Sequence, residues 1–388
     1  MLVDMNSFFA SVEQQANPKF RGRPLGVCAS THETSCVIAT SREAKALGIK
    51  TGTLIYKAKK IYPKIILIQA EPEKYREVSK GINRIFGDFS DLVEPYSIDE
   101  SFLDLSQSKL NPLIVGAQIK QRIKDEIGEW LTCSVGIASN KFMAKLAADL
   151  EKPDGLTVIW RSNLPEIYKT KKFEDLWGIS RGWKRRLNSL GIESPYEMLK
   201  FPVANLMSVF GKPGFYIWQR VLGLEEDKVK PFEDNHKSFG NSWILNFRTR
   251  DKHLLEQVIM RLAEKCARRM RRAHFKAQGI YLSIADVSGN YFHTSKKLRT
   301  TINTGQELYL QALNLWHTWE FQFEIMHIAV GFNNLLTDYL QLDLFGDKNS
   351  NLISALDMIN DRYGEFTIRS GLLTHTQDFA PDAIAFGK

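Results

Sequence analysis

The segment EPYSIDESFLDLS (Glu94–Ser106) places two adjacent carboxylates, Asp99 and Glu100, inside an otherwise strand-like stretch. Neighbouring residues on an ideal strand point to opposite faces, so both acids can serve one site only where the backbone bends. Pro95 and Ser97 precede the acids and favour such a bend. A lone Asp-Glu pair is more often a solvated turn, so its chemistry depends on what else the chain supplies.

A third carboxylate, Asp4, ends the apolar run Met1–Val3 at the start of the chain. Two-metal phosphoryl or nucleotidyl transfer needs carboxylates that bridge two cations about 3.5–4 Å apart. Magnesium takes oxygen ligands and keeps bound waters, so two or three carboxylates are sufficient. We therefore expect Asp4, Asp99 and Glu100 to meet in space and hold divalent metal.

Composition indicates a globular protein of several domains. The chain has 388 residues, of which 44% are hydrophobic and 25% are charged. That length suits three or four domains, and no apolar run is long enough to span a membrane. The polar start of the chain is unlike a secretory signal. The four cysteines have no CxxC spacing, which argues against a zinc site or a disulfide framework and favours the cytoplasm: Cys28, Cys36, Cys133 and Cys266.

The charge is distributed unevenly along the chain. The net charge is +8, and bases outnumber acids in residues 160–230 and again in residues 232–330. After Thr337 the acids outnumber the bases. This pattern predicts that the body of the protein meets a polyanion and that the tail does not.

The order of predicted elements divides the chain into regions. Helices and strands alternate up to Trp160, in a manner that suits an α/β or α+β domain with an antiparallel sheet. Residues 162–227 are predicted to contain helices only, and the charged segment 224–233 is a plausible linker. Strands then alternate with two helices up to Phe332, and residues 351–363 have helical periodicity.

Three long sequence blocks follow one another along the first part of the chain: DMNSFFASVEQ (Asp4–Gln14), SIDESFLDLS (Ser97–Ser106) and SVGIASNKFMAKLAADLEKPDG (Ser134–Gly155). In their residues, order and spacing they resemble the signature blocks of the Y-family, or translesion, DNA polymerases. The resemblance covers about residues 1–332 and is strongest up to Gly155. The sequence of residues 36–52 resembles the UmuC-like branch more closely, whereas the overall chain length and the C-terminal tail resemble the DinB-like branch. The subclass therefore stays open.

The resemblance implies a multidomain α+β protein with the right-hand polymerase architecture. Residues 1–10 and 73–160 would form a ferredoxin-like palm, and residues 11–72 would form small fingers. Residues 161–228 would be a helical thumb with a helix-hairpin-helix, and residues 234–333 an α/β little finger. Residues 334–388 would be a C-terminal tail that carries a clamp-binding motif.

The resemblance also assigns roles in the active site. It implies that Asp4, Asp99 and Glu100 are the catalytic acids, that the Met5 carbonyl is a further ligand, and that two Mg²⁺ ions bind. Phe9 falls at the steric gate, where an aromatic ring under the sugar leaves no room for a 2′-hydroxyl. Without the motif, Phe9 would be interpreted as a core aromatic beside Phe8. The implied nucleotide-binding residues are Phe8, Phe9, Arg42, Lys45 and Lys152.

Several lysines and one arginine leave alternatives open. Arg42 stands where many relatives have tyrosine, so it either reaches a phosphate or is solvated. Lys141 and Lys145 lie on the helix in residues 140–150, and a solvated face is as good an interpretation as phosphate contact. Lys45 and Lys152 match basic family positions that hold the triphosphate.

DNA contacts are implied in two regions. Residues 176–192 resemble a helix-hairpin-helix, whose helix N-terminus offers backbone N–H groups to a phosphate, although Ser180 stands where the second glycine is usual. In the little finger, the run Arg268–Arg272 is either a backbone contact or an exposed solubilising face, and the last strand lacks arginines that relatives carry. The predicted DNA contacts are Gly178, Ser180, Lys184, Arg185, Lys237, Ser238, Arg268, Lys297 and Arg299.

The tail contains the sequence Gln341-Leu342-Asp343-Leu344-Phe345, which is similar to the peptide with which bacterial polymerases bind the sliding clamp. An extended segment would place Leu344 and Phe345 in an apolar pocket, with Gln341 supplying hydrogen bonds. Five-residue matches also arise by chance, and Leu342, Leu344 and Phe345 could instead cover a local core.

The residues and the resemblance together predict a monomeric, template-directed translesion DNA polymerase. It would add deoxynucleotides to a primer 3′-hydroxyl opposite damaged template, with low fidelity and no proofreading. The partners would be primer-template DNA, deoxynucleoside triphosphates and the sliding clamp. Two alternatives are a catalytically inactive, clamp-bound DNA-binding scaffold and a two-metal nucleotidyl cyclase.

Overall fold

The computed structural model describes residues 1–33, 35–231, 236–316, 319–320, 322–337 and 350–374. The chain divides into two compact units between Glu233 and Asp234. Each unit has its own sheet and its own hydrophobic core. The predicted clamp-binding residues, 341–345, lie outside the described residues.

The first unit mixes short strands and helices before it becomes helical. Its elements are β1 (Leu2–Met5), α1 (Phe8–Ala16), β2 (Leu25–Cys28), β3 (Val37–Thr40), α2 (Arg42–Ala46), α3 (Ile55–Ile61), β4 (Ile66–Gln69), α4 (Pro72–Gly87), β5 (Val93–Pro95), β6 (Glu100–Leu103), α5 (Pro112–Arg122), β7 (Cys133–Ile137), α6 (Lys141–Leu150), β8 (Leu156–Val158), α7 (Leu164–Tyr168), α8 (Arg181–Asn188), α9 (Pro195–Met198), α10 (Val203–Phe210) and α11 (Lys212–Val221). A π-helical segment, Ile123–Ile127, continues α5.

A five-stranded sheet organises the first unit, with the strand order β5-β6-β1-β7-β8. Strand β1 lies at its centre and pairs antiparallel with both β6 and β7. All four residues of β1 are buried, which explains why its sequence is almost wholly apolar around Asp4. A separate three-stranded sheet, ordered β3-β2-β4, forms a small core of its own with α2 and α3.

The second unit has a four-stranded antiparallel sheet with the order β11-β10-β12-β9. Two long helices supply the rest of its core, which buries residues such as Leu262 and Leu308 against the sheet. Its elements are β9 (Ser238–Thr249), α12 (Lys252–Arg272), β10 (Phe275–Asp286), β11 (Tyr291–Ile302), α13 (Gly305–Trp316), β12 (Ile325–Thr337) and α14 (Ser350–Tyr363).

The strands of the second unit are longer than the sequence pattern predicts. Strand β11 runs from Tyr291, whereas the apolar pattern predicts a start at Lys297. The added residues alternate half-buried Phe292 and Thr294 with exposed His293 and Ser295. Because one face of the strand is polar and open to solvent, hydrophobicity alone does not mark its beginning.

Helix α14 packs its acidic residues against the basic side of α12. Arg271 forms two 2.7 Å hydrogen bonds with the carboxylate of Asp357. Arg268 pairs with Asp361 and, at 3.5 Å, with Glu365. The acidic tail is therefore a counter-charge for α12 within the same unit.

This packing corrects one predicted DNA contact. Arg268 is only 7% exposed, and its guanidinium is engaged by carboxylates of the protein. The arrangement contradicts Arg268 as an exposed phosphate contact, and it equally contradicts the interpretation of residues 268–272 as one solvated face. The prediction failed because the sequence shows one basic run and does not show that Arg268 is buried while Arg269 and Arg272 are exposed.

Within the described ranges, no helix combines the length and the apolar character needed to cross a bilayer.

Candidate active site

The turn between β1 and α1 begins the site. Asp4 is 7% exposed and lies near the end of β1, and Phe8 opens α1. Between them Ser7 adopts a left-handed backbone conformation with φ 51°, which is uncommon for a residue other than glycine. Asn6 fixes this turn, because its side chain donates to Ser134 Oγ at 3.0 Å and accepts from the Asp154 amide at 2.8 Å.

Strand pairing brings the three acids together. Asp4 and Glu100 are direct partners on the antiparallel strands β1 and β6, so their side chains lie on the same face. Asp99 precedes β6, and its carbonyl accepts from the Met5 amide at 2.9 Å. The predicted bend is present, because the amides of Tyr96 and Ser97 both donate to the Glu100 carbonyl.

The acids line a cavity of 790 Å³ in the first unit. The walls come from the β1–α1 turn, from β3 and α2, from the bend before β6, from the middle of α6 and from the segment that follows α6. Every predicted metal-binding and nucleotide-binding residue lines it: Asp4, Met5, Phe8, Phe9, Arg42, Lys45, Asp99, Glu100 and Lys152.

Two ammonium groups reach the acids. Lys145 Nζ lies 2.6 Å from both Asp4 Oδ2 and Glu100 Oε2. Lys152 Nζ lies 2.9 Å from Asp4 Oδ2 and 2.7 Å from Asp149 Oδ1. The two alternatives for Lys145 were a solvated helix face and a phosphate contact; its ammonium instead binds the carboxylates.

The pKa values of the site follow from burial and charge. Burial raises the pKa of Asp99, although a 2.6 Å hydrogen bond from Ser97 Oγ opposes the rise. Burial also raises the pKa of Glu100, and the Lys145 ammonium opposes it. Burial disfavours the charge of Lys145, but the Asp4 and Glu100 carboxylates outweigh it and raise the pKa of that ammonium.

The donor set fits a hard divalent cation. Asp4, Asp99 and Glu100 supply carboxylate oxygens only, and these are the ligands that magnesium and manganese prefer. A single nitrogen, Lys145 Nζ, already bridges two of the carboxylates, so a cation can bridge them too. In the part of the chain that the structure describes, no three His, Cys, Asp or Glu side chains are already gathered in metal-ligand geometry.

The ring of Phe9 has a rigid support. It stacks on Tyr75 with a centroid distance of 4.5 Å and an interplanar angle of 22°. Tyr75 is fully buried, and its hydroxyl donates to Glu13 Oε1 at 2.7 Å. Lys74 also binds the Glu13 carboxylate at 3.0 Å. The ring of Phe9 is thus held by a buried cluster that the sequence pattern did not reveal.

The two basic residues of α2 have different partners. Lys45 donates to Ser7 Oγ at 2.8 Å, so its ammonium lies at the β1–α1 turn. Arg42 is exposed and donates to Thr132 Oγ1. Both side chains line the cavity, where they can meet an anion.

The predicted thumb contacts surround the start of α8. Gly178 has φ 81°, and a Cβ there would lie 2.5 Å from Arg220 Nη1, so only glycine fits without strain. Ser180 occupies the N-cap position of α8, but its side chain makes no capping hydrogen bond. Arg185 is exposed, whereas Lys184 pairs with Glu174.

Three of the remaining predicted contacts, Ser238, Lys297 and Arg299, lie on the open face of the four-stranded sheet. Lys297 lies opposite Gly279, which lies opposite Asn333, which in turn lies opposite Ser238. Phe332, the residue before Asn333, is buried, so its side chain points toward the helices. Because neighbouring residues of a strand point to opposite faces, Asn333 and the residues paired beside it, including Lys297, face away from the helices. Arg299 lies two residues beyond Lys297 and therefore on the same face, and Lys237, Lys297 and Arg299 are exposed.

Functional candidates that the sequence did not reveal lie around the acids. Ser97 holds Asp99, Asn6 holds the first turn, and Lys145 holds two carboxylates. The sequence had marked Ser97 only as favouring a bend and Lys145 only as a phosphate contact or a solvated residue, so neither was expected to bind a carboxylate. Lys141 is itself buried and binds Glu94 at 2.9 Å and Asp227 at 3.1 Å, so it has a structural partner set.

Two family models match the chain. Residues 3–149 match the impB/mucB/samB family, and residues 236–344 match the impB/mucB/samB family C-terminal domain. DNA polymerase IV of Moorella thermoacetica is 36% identical over 380 residues, which are 95% of this chain and 94% of that protein. DNA polymerase IV of Bacillus velezensis is 28% identical over 397 residues, covering 100% of this chain and 95% of that protein.

A solved structure gives the same result. The Y-family DNA polymerase chimera Dbh-Dpo4(243-245)-Dbh superposes with a TM-score of 0.77 and 26% identity, covering 87% of this chain and 98% of that one. This match confirms the predicted multidomain α+β class with right-hand polymerase architecture. Members of such a family use primer-template DNA, nucleotides and divalent metal. The chain belongs to the impB/mucB/samB family and is a translesion DNA polymerase of the Y-family.

Proposed function

We propose that Asp4, Asp99 and Glu100 are the catalytic acids of this polymerase and that they hold two Mg²⁺ ions, with the Met5 carbonyl as a further ligand. The observation that carries the proposal is the direct pairing of Asp4 with Glu100 across β1 and β6. Bound magnesium would lower the pKa of the primer 3′-hydroxyl and neutralise charge on the triphosphate.

The chain's own residues position the substrate. Lys45 and Lys152 both line the cavity, where their ammonium groups would bind the triphosphate. Lys152 is 36% exposed and can exchange its carboxylate partners for phosphate oxygens. Arg42 offers a third cation, and Phe8 and Phe9 supply the apolar floor. Deoxynucleotide addition then depends on orientation and charge neutralisation, as expected for phosphoryl transfer.

We assign Phe9 as the steric gate. Its ring lies in the cavity wall and is held by the stack on Tyr75. A rigid ring cannot move aside for a 2′-hydroxyl, which would exclude ribonucleotides.

The domain assignment follows the proposed roles. Residues 1–10 and 73–160 form the palm, residues 11–72 the fingers and residues 161–228 the thumb. Residues 234–333 form the little finger, which offers Ser238, Lys297 and Arg299 from its open sheet face to the DNA backbone, together with the exposed Lys237 just before β9. Phosphate contacts of this kind bind DNA without regard to sequence, as a polymerase requires. Gly178, Ser180 and Arg185 would add contacts at the start of α8.

Residues 334–388 are proposed to bind the sliding clamp through Gln341, Leu342, Leu344 and Phe345. The support is the sequence alone, together with its position after β12, which ends at Thr337. Replacing Leu344 and Phe345 with alanine should abolish stimulation by the clamp and leave basal synthesis intact. Unchanged clamp binding would exclude this motif.

We further propose that the enzyme acts as a monomer in the cytoplasm, where its free cysteines stay reduced.

Primer extension tests the mechanism. The double variant Asp99→Ala/Glu100→Ala should lose at least about 10³-fold in rate, since removal of metal ligands removes several kcal/mol of transition-state stabilisation. Surviving activity would reject the metal assignment. The same assay separates the alternatives, because an inactive scaffold extends no primer and a nucleotidyl cyclase converts triphosphate without any primer. The exposed basic residues of the open sheet face favour the polymerase over the cyclase.

A further inference from the structure

Lys145 lies at the centre of the acidic site rather than at its edge. Its ammonium donates to Asp4 Oδ2 and to Glu100 Oε2, at 2.6 Å in both cases. One cationic nitrogen therefore bridges two of the three carboxylates that the proposed function assigns to divalent metal. The side chain is 18% exposed, so water screens these contacts weakly.

The fold fixes Lys145 over the acids. It lies in the middle of α6, and its helical neighbours Ala144 and Ala148 pack against Leu2 of β1 and Phe102 of β6. These are the two strands that carry Asp4 and Glu100. Helix α6 therefore packs directly on the two strands that carry the acids, and this packing fixes the position of the Lys145 ammonium beside them.

The second ammonium is held differently. Lys152 follows α6 and divides its contacts between Asp4 and Asp149. Its side chain is twice as exposed as that of Lys145, at 36% against 18%. Lys152 is therefore suited to leave Asp4 for a phosphate, whereas Lys145 is suited to stay.

We propose that Lys145 is a positioning residue that holds the Asp4 and Glu100 carboxylates together and competes with divalent metal for them. The inference rests on the proposed metal site. Two neighbouring carboxylates repel one another, and an ammonium between them offsets this repulsion. A divalent cation that enters must share the oxygens with Lys145 or displace it. Metal binding is therefore weak until the triphosphate supplies further oxygen ligands.

Binding of Mn²⁺ to the full-length protein, without DNA or nucleotide, tests this competition. Free Mn²⁺ is measured by electron paramagnetic resonance, and carboxylate sites that suit magnesium also suit manganese. Lys145→Met should bind Mn²⁺ at least about tenfold more tightly than the wild type, since one cation has been removed from the site. Lys145→Arg keeps the charge and should stay within about threefold of the wild type.

Thermal unfolding gives a second readout with the opposite sign. In EDTA, Lys145→Met should unfold at a lower temperature than the wild type, because the ammonium that bridges Asp4 and Glu100 is lost and Asp4 keeps only Lys152. Saturating Mn²⁺ should close this gap. A matched control is Lys80→Met, which removes an exposed lysine, 62% accessible and paired with Glu77, and should change neither readout. If Lys145→Met does not fold, Lys145→Gln provides the same comparison.

Two results would overturn the inference, and they are distinguishable. If Lys145→Met and Lys145→Gln bind Mn²⁺ no more tightly than the wild type, Lys145 is a structural residue only, and the metal site stands. If Asp99→Asn/Glu100→Gln binds Mn²⁺ as tightly as the wild type, the proposed metal site fails and the role of Lys145 fails with it.

Discussion

At the residue scale, the proposed gate for the sugar of the incoming nucleotide is a single aromatic ring. Phe9 is 4% exposed and stacks on the buried Tyr75, which Glu13 holds by a 2.7 Å hydrogen bond. We expect Phe9→Val to lower the preference for deoxynucleotides over ribonucleotides by at least about tenfold, because the smaller side chain leaves room for a 2′-hydroxyl. Single-nucleotide incorporation with matched dNTP and rNTP pairs measures the ratio.

The control for this variant separates selection from stability. Phe86→Val removes the same volume from a buried position, 2% exposed, that does not line the active-site cavity. It should lower the unfolding temperature without altering sugar selection. If folded Phe9→Val selects sugars as the wild type does, Phe9 is a core aromatic and not the gate.

The four cysteines should differ sharply in reactivity. Burial raises the pKa of Cys28, Cys133 and Cys266 to about 12, so these thiols stay protonated and unreactive at neutral pH. Cys36 is half-buried. At pH 7.5 an alkylating reagent should label one thiol rapidly and all four only after unfolding. Cys36→Ser should remove the rapid phase; a rapid phase that persists would contradict the assignment.

Residues with a characteristic side-chain chemistry, such as the acids, could be predicted from the sequence, whereas residues whose roles depend on distant contacts could not. Asp4, Asp99 and Glu100 were expected to meet in space, and the structure places all three in the wall of one cavity. Tyr75 carried no such mark, because its role comes from contacts 62 and 66 positions away in the chain, with Glu13 and Phe9. The direction of Lys145 could not be read from helical periodicity, which does not say what a helix covers.

At the scale of elements, the four-stranded sheet separates two sets of basic residues. Lys297 and Arg299 lie on its open face, whereas Arg268 lies on α12, which packs with the core on the other side. The helix arginines are neutralised by Asp357 and Asp361 of α14. Exposed bases on an open sheet are available to phosphate, while paired bases mainly stabilise the fold.

This separation predicts opposite phenotypes for two alanine variants. Arg268→Ala should lower the stability of the second unit by roughly 0.5–3 kcal/mol, because it removes the packing of a buried side chain together with its ion pairs, and DNA affinity should be unchanged. Lys297→Ala/Arg299→Ala should leave the unfolding temperature unchanged and weaken DNA binding. Calorimetry and fluorescence anisotropy with primer-template DNA measure the two effects. Loss of DNA affinity in folded Arg268→Ala would contradict this division.

Element boundaries show where sequence patterns stop being informative. In the first unit, buried strands such as β1 and β7 are continuous apolar runs, so the sequence pattern marks them clearly. In the second unit the open face carries glycine, serine and charge, as at Gly279, Ser238 and Lys297, so the apolar pattern covers only part of each strand. The bend at Asp99 was predictable, since two adjacent acids had to face one site.

At the scale of the whole molecule, charge is divided between two kinds of environment. The carboxylates of Asp4 and Glu100 and the ammonium of Lys145 are largely buried, with side-chain exposures of 10%, 15% and 18%. The predicted DNA contacts, such as Lys237 and Arg299, lie on exposed surface. Salt screens exposed charges far more than buried ones. Ionic strength should therefore act on DNA binding and much less on the chemical step.

We expect the logarithm of the DNA association constant to fall linearly with the logarithm of KCl concentration. The exposed bases Arg185, Lys237, Lys297 and Arg299 together predict a slope of roughly −3 to −4, at about −0.9 for each phosphate contact. Lys297→Ala/Arg299→Ala should lessen the slope by about two. With DNA and nucleotide saturating, the rate of single-nucleotide addition should change little across the same range of KCl, because the groups around Asp4 are shielded from the added ions. Anisotropy titrations and rapid-quench kinetics measure the two quantities. A slope near zero would mean that the open face of the sheet does not bind DNA, whatever the chemistry of the cavity.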